Sequence, residues 1–409
     1  MKPKLLFLFP DGWDEAALGS EPAIGERFHV VREGFDLFRF PQNANLLWFD
    51  ARRWVGRLAR RYRNAGVAGV VSTNEQYGAL LAATLARELD LPGTDPAAII
   101  RAQHKYYARC ALAHALPEAN PRVALLPYAF EDASIASRDP GLPFPFFVKP
   151  VKATYSVLAK RVEHREFRVD PLQMMGESLL EGVQINVDGW MHRGAIGFFG
   201  IVDSVMYPGT QAFARFEYPS RLPVDAQSGA YATAERAMRA VGFDHGAFNI
   251  ELFWQPATGR MHIVEINPRL AAQFGDLYDK VDGTHPYAVL ADLASGRAPR
   301  WVRGQGRFRA ATSFVLREFD GAVKVAPDRM QLRWLAEHHP DARLFTFIKH
   351  GGSRAREMKW LGSYRYAAMN VGGASREDVE QRFADICRHV TFERASPALT
   401  GAAILLNRG

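Results

Sequence analysis

The order of apolar and polar positions divides the chain into three stretches. Near the start, the run 4–9 (KLLFLF) is apolar throughout, as in a buried strand. One or two further strands are predicted within 28–40, and another over 67–72. Between them, Trp54, Val55, Leu58 and Tyr62 share one helical face, and a second helix is expected over 80–89. Strands alternating with helices predict a parallel sheet with helices on its faces. The fold class is therefore α/β, with an N-terminal doubly wound domain over about residues 1–95.

The middle stretch, 96–300, reads as α+β. A helical pattern runs over 95–117, with Pro96 in its first turn. A strand over 142–150 (LPFPFFVKP) is pinned between prolines. Paired strands are expected over 178–187 and 191–202, around an Asp188-Gly189 turn signal. A helix over 229–241 precedes a hairpin, 247–254 with 261–267, and a helical segment over 287–294 closes the stretch. The remaining residues, 301–409, read as strands and turns with a helix over 375–390. The pair His338-His339 before Pro340 marks a helix end, and Gly372-Gly373 a turn.

Composition narrows the partners. With 48% hydrophobic and 23% charged residues, the 409-residue chain has enough apolar material for two or three domain cores. The net charge of +7 is densest over 52–63, where six arginines line one helix. A solvated arginine face is the plain reading, and a nucleic-acid or membrane surface the alternative. Cys110 and Cys387 are far apart and in no paired motif, which fits a reduced cytoplasmic compartment rather than a disulfide scaffold or zinc site. The first apolar run is too short for a signal peptide, and no stretch is long enough to cross a bilayer. Twelve histidines show no metal-ligand spacing.

The chemistry concentrates in 248–253 (FNIELF) and 262–269 (HIVEINPR). Residues two apart on a strand share a face, so Glu265 and Asn267 project together, and Arg269 continues that face if the chain stays extended past Pro268. With the turn centred near Thr258, Glu251 lies opposite Glu265. Two opposed carboxylates between apolar neighbours repel, and a hard divalent cation removes that repulsion. Magnesium suits carboxylate and amide oxygens together with phosphates. The alternative is a hairpin with both glutamates on its solvent face. Lys149 stands out separately, because a lone charge in an apolar strand is costly unless it meets a partner.

These motifs resemble the ATP-grasp superfamily, especially its carboxylate–amine and amino-acid ligase branch. The resemblance covers roughly 1–300 and is strongest over 248–269. It implies an N-terminal pre-ATP-grasp domain, an ATP-grasp domain of two α+β halves, and a C-terminal region that completes or caps the site. It also implies ATP and two Mg2+ (or Mn2+) ions held by Glu251, Glu265 and Asn267, with Arg269 on the transferred phosphate. Lys105 matches a helix-start lysine and Lys149 a strand lysine, both on phosphate oxygens. Over 177–189, Glu177 and Leu180 match residues flanking adenine through backbone groups. Gln184 stands where a ribose-binding Glu is usual, with Glu181 as a second candidate.

The loop 151–156 (VKATYS) departs from the family in having no glycine, although Ser156 keeps the place of the usual serine and Lys152 adds charge. Glu75, after a buried strand, is a candidate for a substrate ammonium group, and Arg215 for a substrate carboxylate. The resemblance implies that a carboxylate is activated as an acyl phosphate and captured by an amine, releasing ADP and phosphate. Biotin carboxylases resemble this hairpin but place a glutamate base within four residues of the arginine; here those positions are Leu270, Ala271, Ala272 and Gln273. A bicarbonate-using enzyme and a non-catalytic nucleotide-binding protein are the rival readings. The expected partners are small carboxylates and amines, amino acids foremost, with neither nucleic acid nor membrane. A homodimer is possible.

Overall fold

The structure is a computed structural model that describes residues 2–37, 41–74, 77–126, 141–152, 159–163, 173–319, 323–348 and 362–394. Glu75 and Ser156 lie outside the described residues. The chain divides into two compact units. One comprises Met1–Gly200, Leu222–Ala272 and His285–Trp301; the other comprises Ile201–Arg221, Gln273–Thr284 and Val302–Gly409.

The first unit opens with β1 (Lys4–Leu8), α1 (Gly12–Ser20), α2 (Pro22–Arg27), β2 (His29–Glu33), α3 (Ala51–Tyr62), β3 (Val67–Val71) and α4 (Gly78–Glu88). β1 pairs in parallel with β2 on one side and β3 on the other, as the alternation of strands and helices predicts. Asp11 ends the first apolar run by capping α1, accepting from the backbone N–H of Trp13 and Asp14. Trp54, Val55, Leu58 and Tyr62 of α3 are buried beside Leu6 and Leu8, and the arginines take the other face.

The helical stretch expected over 95–117 is two helices, α5 (Pro96–Gln103) and α6 (Lys105–Ala115). His104 breaks it, with extended backbone (φ −83°, ψ 101°) and a ring nitrogen that accepts from the Tyr107 N–H. The break makes Lys105 the first residue of a new helix. Four strands follow: β4 (Val123–Leu125), β5 (Phe146–Pro150), β6 (Lys160–Val162) and β7 (Met174–Ser178), in the order β4-β7-β5-β6. Phe146, Val148, Val162 and Met174 form their core.

The next strands correct the sequence reading. β8 (Val183–His192) and β9 (Ala195–Met206) turn at Arg193-Gly194, where both residues have positive φ (52° and 77°), and not at Asp188-Gly189. Gly189 lies mid-strand because a Cβ there would come within 2.6 Å of the Phe248 ring and 2.5 Å of the Gly197 carbonyl. It marks a close packing contact that resembles a turn signal only in one dimension. After β10 (Phe213–Tyr218), the helix expected over 229–241 starts earlier, as α7 (Val224–Ala240). β11 (Gly246–Gln255) and β12 (Arg260–Asn267) form the predicted hairpin, and in this unit the antiparallel order is β12-β11-β8. α8 (Ala272–Asp282), which the sequence reading missed, and α9 (Pro286–Ala294) follow.

The second unit carries β13 (Ala310–Glu318), β14 (Val323–Val325), α10 (Arg329–His338), β15 (Arg343–Thr346), β16 (Tyr364–Gly373), α11 (Arg376–His389) and β17 (Glu393–Arg394). Its strands run β10-β13-β16-β15, all antiparallel. α10 was not foreseen as an element, although its end at His338 was. Phe314 of β13 stacks on Phe383 of α11 at 3.7 Å, at the centre of a core with Tyr364, Met369, Val379 and Ile386.

Candidate active site

The hairpin register sets the site. Glu251 pairs with Glu265 and Asn249 with Asn267, as expected, although the turn itself, closed by Gln255 and Arg260, is centred just before Thr258. On the other side of β11, Glu251 pairs with Asn186 and Asn249 with Asp188. Cross-strand partners share a face, so two polar rows cross the three strands: Asn186, Glu251, Glu265 and then Asp188, Asn249, Asn267. The second row is buried and joined. Asn267 donates through Nδ2 to Asn249 Oδ1 at 3.0 Å, and Asn249 donates through Nδ2 to Asp188 Oδ1 at 2.5 Å and Asn186 Oδ1 at 3.1 Å. This chain of amides orients Asn267 so that its own carbonyl oxygen is the atom left to ligate.

The register then slips. Glu251 opposes Glu265 but Leu252 opposes Ile263, which leaves Val264 as a bulge. The Val264 carbonyl receives two cations instead of a neighbouring strand. Arg109 Nη2 donates to it at 2.8 Å and Lys149 Nζ at 3.1 Å. Both cations also meet Glu177 of β7: Arg109 Nε lies 2.6 Å from Oε1 and Lys149 Nζ 2.7 Å from Oε2. Arg109, Lys149 and Glu177 are all buried. Burial alone would raise the Glu177 pKa, but Arg109 and then Lys149 outweigh it and hold the carboxyl below its usual value. For Lys149, burial prevails over Glu177 and draws the pKa down.

Lys105 completes the group. Its backbone N–H donates to the Val151 carbonyl at 2.9 Å, which ties the start of α6 to the end of β5. Its Nζ lies 3.0 Å from Glu265 Oε2. Burial would raise Glu265, but Lys105 foremost, then Lys149 and Arg269, bring its pKa down to about 2. An ionised, half-buried carboxylate is what a cation ligand requires. Glu251 Oε2 accepts from Gln184 Nε2 at 2.9 Å. Among the described residues no three His, Cys, Asp or Glu side chains converge as a metal cage. Glu251, Glu265 and the Asn267 carbonyl form a partial hard-oxygen set. That set fits magnesium, which commonly keeps phosphate and water ligands, better than a metal enclosed by protein alone.

The structure thus brings together Lys105, Lys149, Glu177, Gln184, Glu251, Glu265 and Asn267. The chain bends at Pro268-Arg269, so Arg269 does not extend the strand face, although its charge acts on Glu265. Glu177 spends its side chain on Arg109 and Lys149, and its backbone lies between β4 and β5. Leu180 lies half-buried between β7 and β8. Arg215 belongs to the other unit, where its Nε pairs with Glu217 Oε1 at 2.5 Å. Sequence reasoning missed Arg109, Asp188, Asn186 and Asn249. Arg109 follows Lys105 by one helical turn, and Asn249 precedes Glu251 by two, so both could have been found by periodicity.

Solved structures share this architecture. An L-amino acid ligase from Bacillus licheniformis superposes with a TM-score of 0.74, covering 96% of this chain and 98% of that one at 15% identity. Carboxyaminoimidazole ribonucleotide synthase from Aspergillus clavatus, solved with ATP, gives 0.68 over 95% and 99% of the two chains, also at 15% identity. A biotin carboxylase from Campylobacter jejuni, solved as a β-γ-ATP complex, gives 0.64 over 98% and 93% at 12% identity. The chain has the ATP-grasp fold. Within that fold, Lys149 and Glu177 come from the four-stranded sheet β4–β7, and Glu251, Glu265 and Asn267 from the β11–β12 hairpin. No family model matches the chain. The uncharacterized protein y4rH of Sinorhizobium fredii is 27% identical over an alignment of 316 residues that covers 73% of this chain. The match spans 62% of that relative's length. No helix among the described residues is long and apolar enough to cross a membrane.

Proposed function

We propose that the chain is an ATP- and magnesium-dependent ligase that joins a carboxylate to an amine and releases ADP and phosphate. The observation that carries this reading is the direct opposition of Glu251 and Glu265, with Lys105 and Lys149 beside them. Magnesium-bound ATP would supply the phosphoryl group. Glu251, Glu265 and the Asn267 carbonyl would hold the metal, and Lys105 and Lys149 the phosphate oxygens. Lys105 and Gln184, which now satisfy the two glutamates, would yield those carboxylates to the cation. Phosphoryl transfer depends mainly on positioning and charge neutralisation, which these groups provide. Arg269 stands near Glu265 as the cation for the transferred phosphate. Glu177, Leu180 and Gln184 are proposed to border the nucleoside, and Ser156 the phosphates.

The carboxylate would be activated as an acyl phosphate and captured by the amine of a second substrate, with amino acids the first class to try. Glu75 is proposed to hold an ammonium group. Carboxylation is disfavoured because Leu270, Ala271, Ala272 and Gln273 offer no base after Arg269. The nearest later acid, Asp276, lies 2.7 Å from Lys280. The test supplies ATP and magnesium with amino acids singly and in pairs, and separately with biotin and bicarbonate. ADP release with amine pairs is expected. AMP as the stoichiometric product, or release only with biotin and bicarbonate, would overturn the reading.

A further inference from the structure

We infer that Arg215, Arg221 and Arg376 form an oxyanion site, for a carboxylate or a phosphate group, that Glu217 holds together. All four residues belong to the second unit, and the site is independent of the residues proposed to bind ATP. Glu217 is buried on β10, accepts from Arg215 and Arg376, and forms an ion pair with Arg221 as well. Arg215 Nε lies 2.5 Å from Oε1, while Arg221 Nη2 at 3.0 Å and Arg376 Nη1 at 3.1 Å share Oε2. Arg376 Nη2 also donates to the Pro219 carbonyl.

Glu217 alone does not use all the donors of three guanidinium groups. Asp203 pairs with Glu217 across β9 and β10, so its charge belongs to the same patch. Its oxygens are taken by the Ser220 hydroxyl at 2.5 Å and the Arg221 backbone N–H at 2.7 Å. Glu377, next to Arg376, acts on Arg221 and Arg376 as well, so Arg215, Arg221 and Arg376 as +3 are balanced by Glu217, Asp203 and Glu377 as −3. The donors, by contrast, are in surplus. Arg215 spends only Nε, and its Nη1 and Nη2 have no partner among the described residues, although its side chain is only 20% exposed. A guanidinium edge with two parallel N–H groups matches the paired oxygens of a carboxylate or phosphate. Glu217 lowers the cost of gathering three like charges and orients each fork. It also occupies part of the positive potential that an incoming anion would otherwise meet.

That last point gives the decisive variant. The full-length chain, free of nucleotide and magnesium, is titrated by calorimetry with inorganic phosphate in one arm and succinate in the other. Saturable binding of one anion at one per chain is expected, and the arm that responds identifies the group. Arg215→Met and Arg376→Met should each weaken it at least tenfold. Glu217→Gln removes the competing charge and should tighten it severalfold, a gain that misfolding cannot produce. Lys149→Met, placed in the ATP reading, should leave it unchanged. Absence of saturable binding in both arms, unaltered or weaker binding in Glu217→Gln, or loss of binding in Lys149→Met with retention in Arg215→Met would each overturn the assignment.

Discussion

At the scale of single residues, each lysine of the site is held by a carboxylate. Lys149 lies between Glu177 and the Val264 carbonyl, and Lys105 lies on Glu265. Neither arrangement is neutral surface decoration, since each charge is withdrawn from water and paired. Lys149→Met is expected to raise the dissociation constant for ATP at least tenfold, about 1.4 kcal/mol or more. Isothermal titration in magnesium buffer measures it, and an unchanged constant would remove Lys149 from the nucleotide reading. Glu265→Ala should reduce turnover to background while circular dichroism still shows the folded chain, with a lowered Tm because Lys105 loses its partner. Full activity in that variant would dismiss Glu265 as a metal ligand.

At the scale of elements, the Val264 bulge and the break at His104 act together. The bulge turns one carbonyl of β12 out of its ladder, and the break starts α6 where Lys105 and Arg109, one turn apart, both reach the hairpin. Arg109 links α6 to β7 and β12 through Glu177 and that carbonyl. Arg109→Met would leave Glu177 buried with one cation fewer. Removing one partner of a buried ion pair typically costs about 3–5 kcal/mol. Urea denaturation should show a loss of that order, and a loss under about 1 kcal/mol, the range of exposed pairs, would mean that water reaches Glu177 in solution.

At the scale of the whole molecule, a buried acid joins distant parts of the first unit. Asp14 of α1 accepts from Thr73 after β3 and from Tyr287 of α9, each at 2.5 Å, and from the Asp11 N–H at 2.8 Å. Burial, followed by the Asp11 charge, pushes its pKa from 3.8 to about 8. The folded chain thus keeps a proton that the unfolded chain releases above about pH 4. Stability from this group is complete below that pH and is lost as pH rises through about 8. Asp14→Asn cannot ionise and keeps an acceptor for both hydroxyls. Its Tm should fall less than that of the parent chain between pH 5 and 8, and parallel curves would show that Asp14 does not carry the proton.

Sequence by itself determined what depends on period and composition. The parallel N-terminal sheet followed from strands alternating with helices, and the Glu251–Glu265 opposition from a turn placed near Thr258, a register that the Val264 bulge completes. Both are properties of neighbours along one chain, which local spacing encodes. The tertiary structure decided what depends on contacts between distant segments. Asp188-Gly189 reads as a turn, yet Phe248 and Gly197 press on it from other strands and keep it mid-strand. Arg109 reads as a helix-surface residue until Glu177, 68 positions later, and Val264, 155 positions later, surround it. The three arginines on Glu217 come from β10, the segment after it and the start of α11, so no local pattern announces them. Burial of a charge is settled only when the chain has closed around it, and the cost of leaving it unpaired then selects the partner.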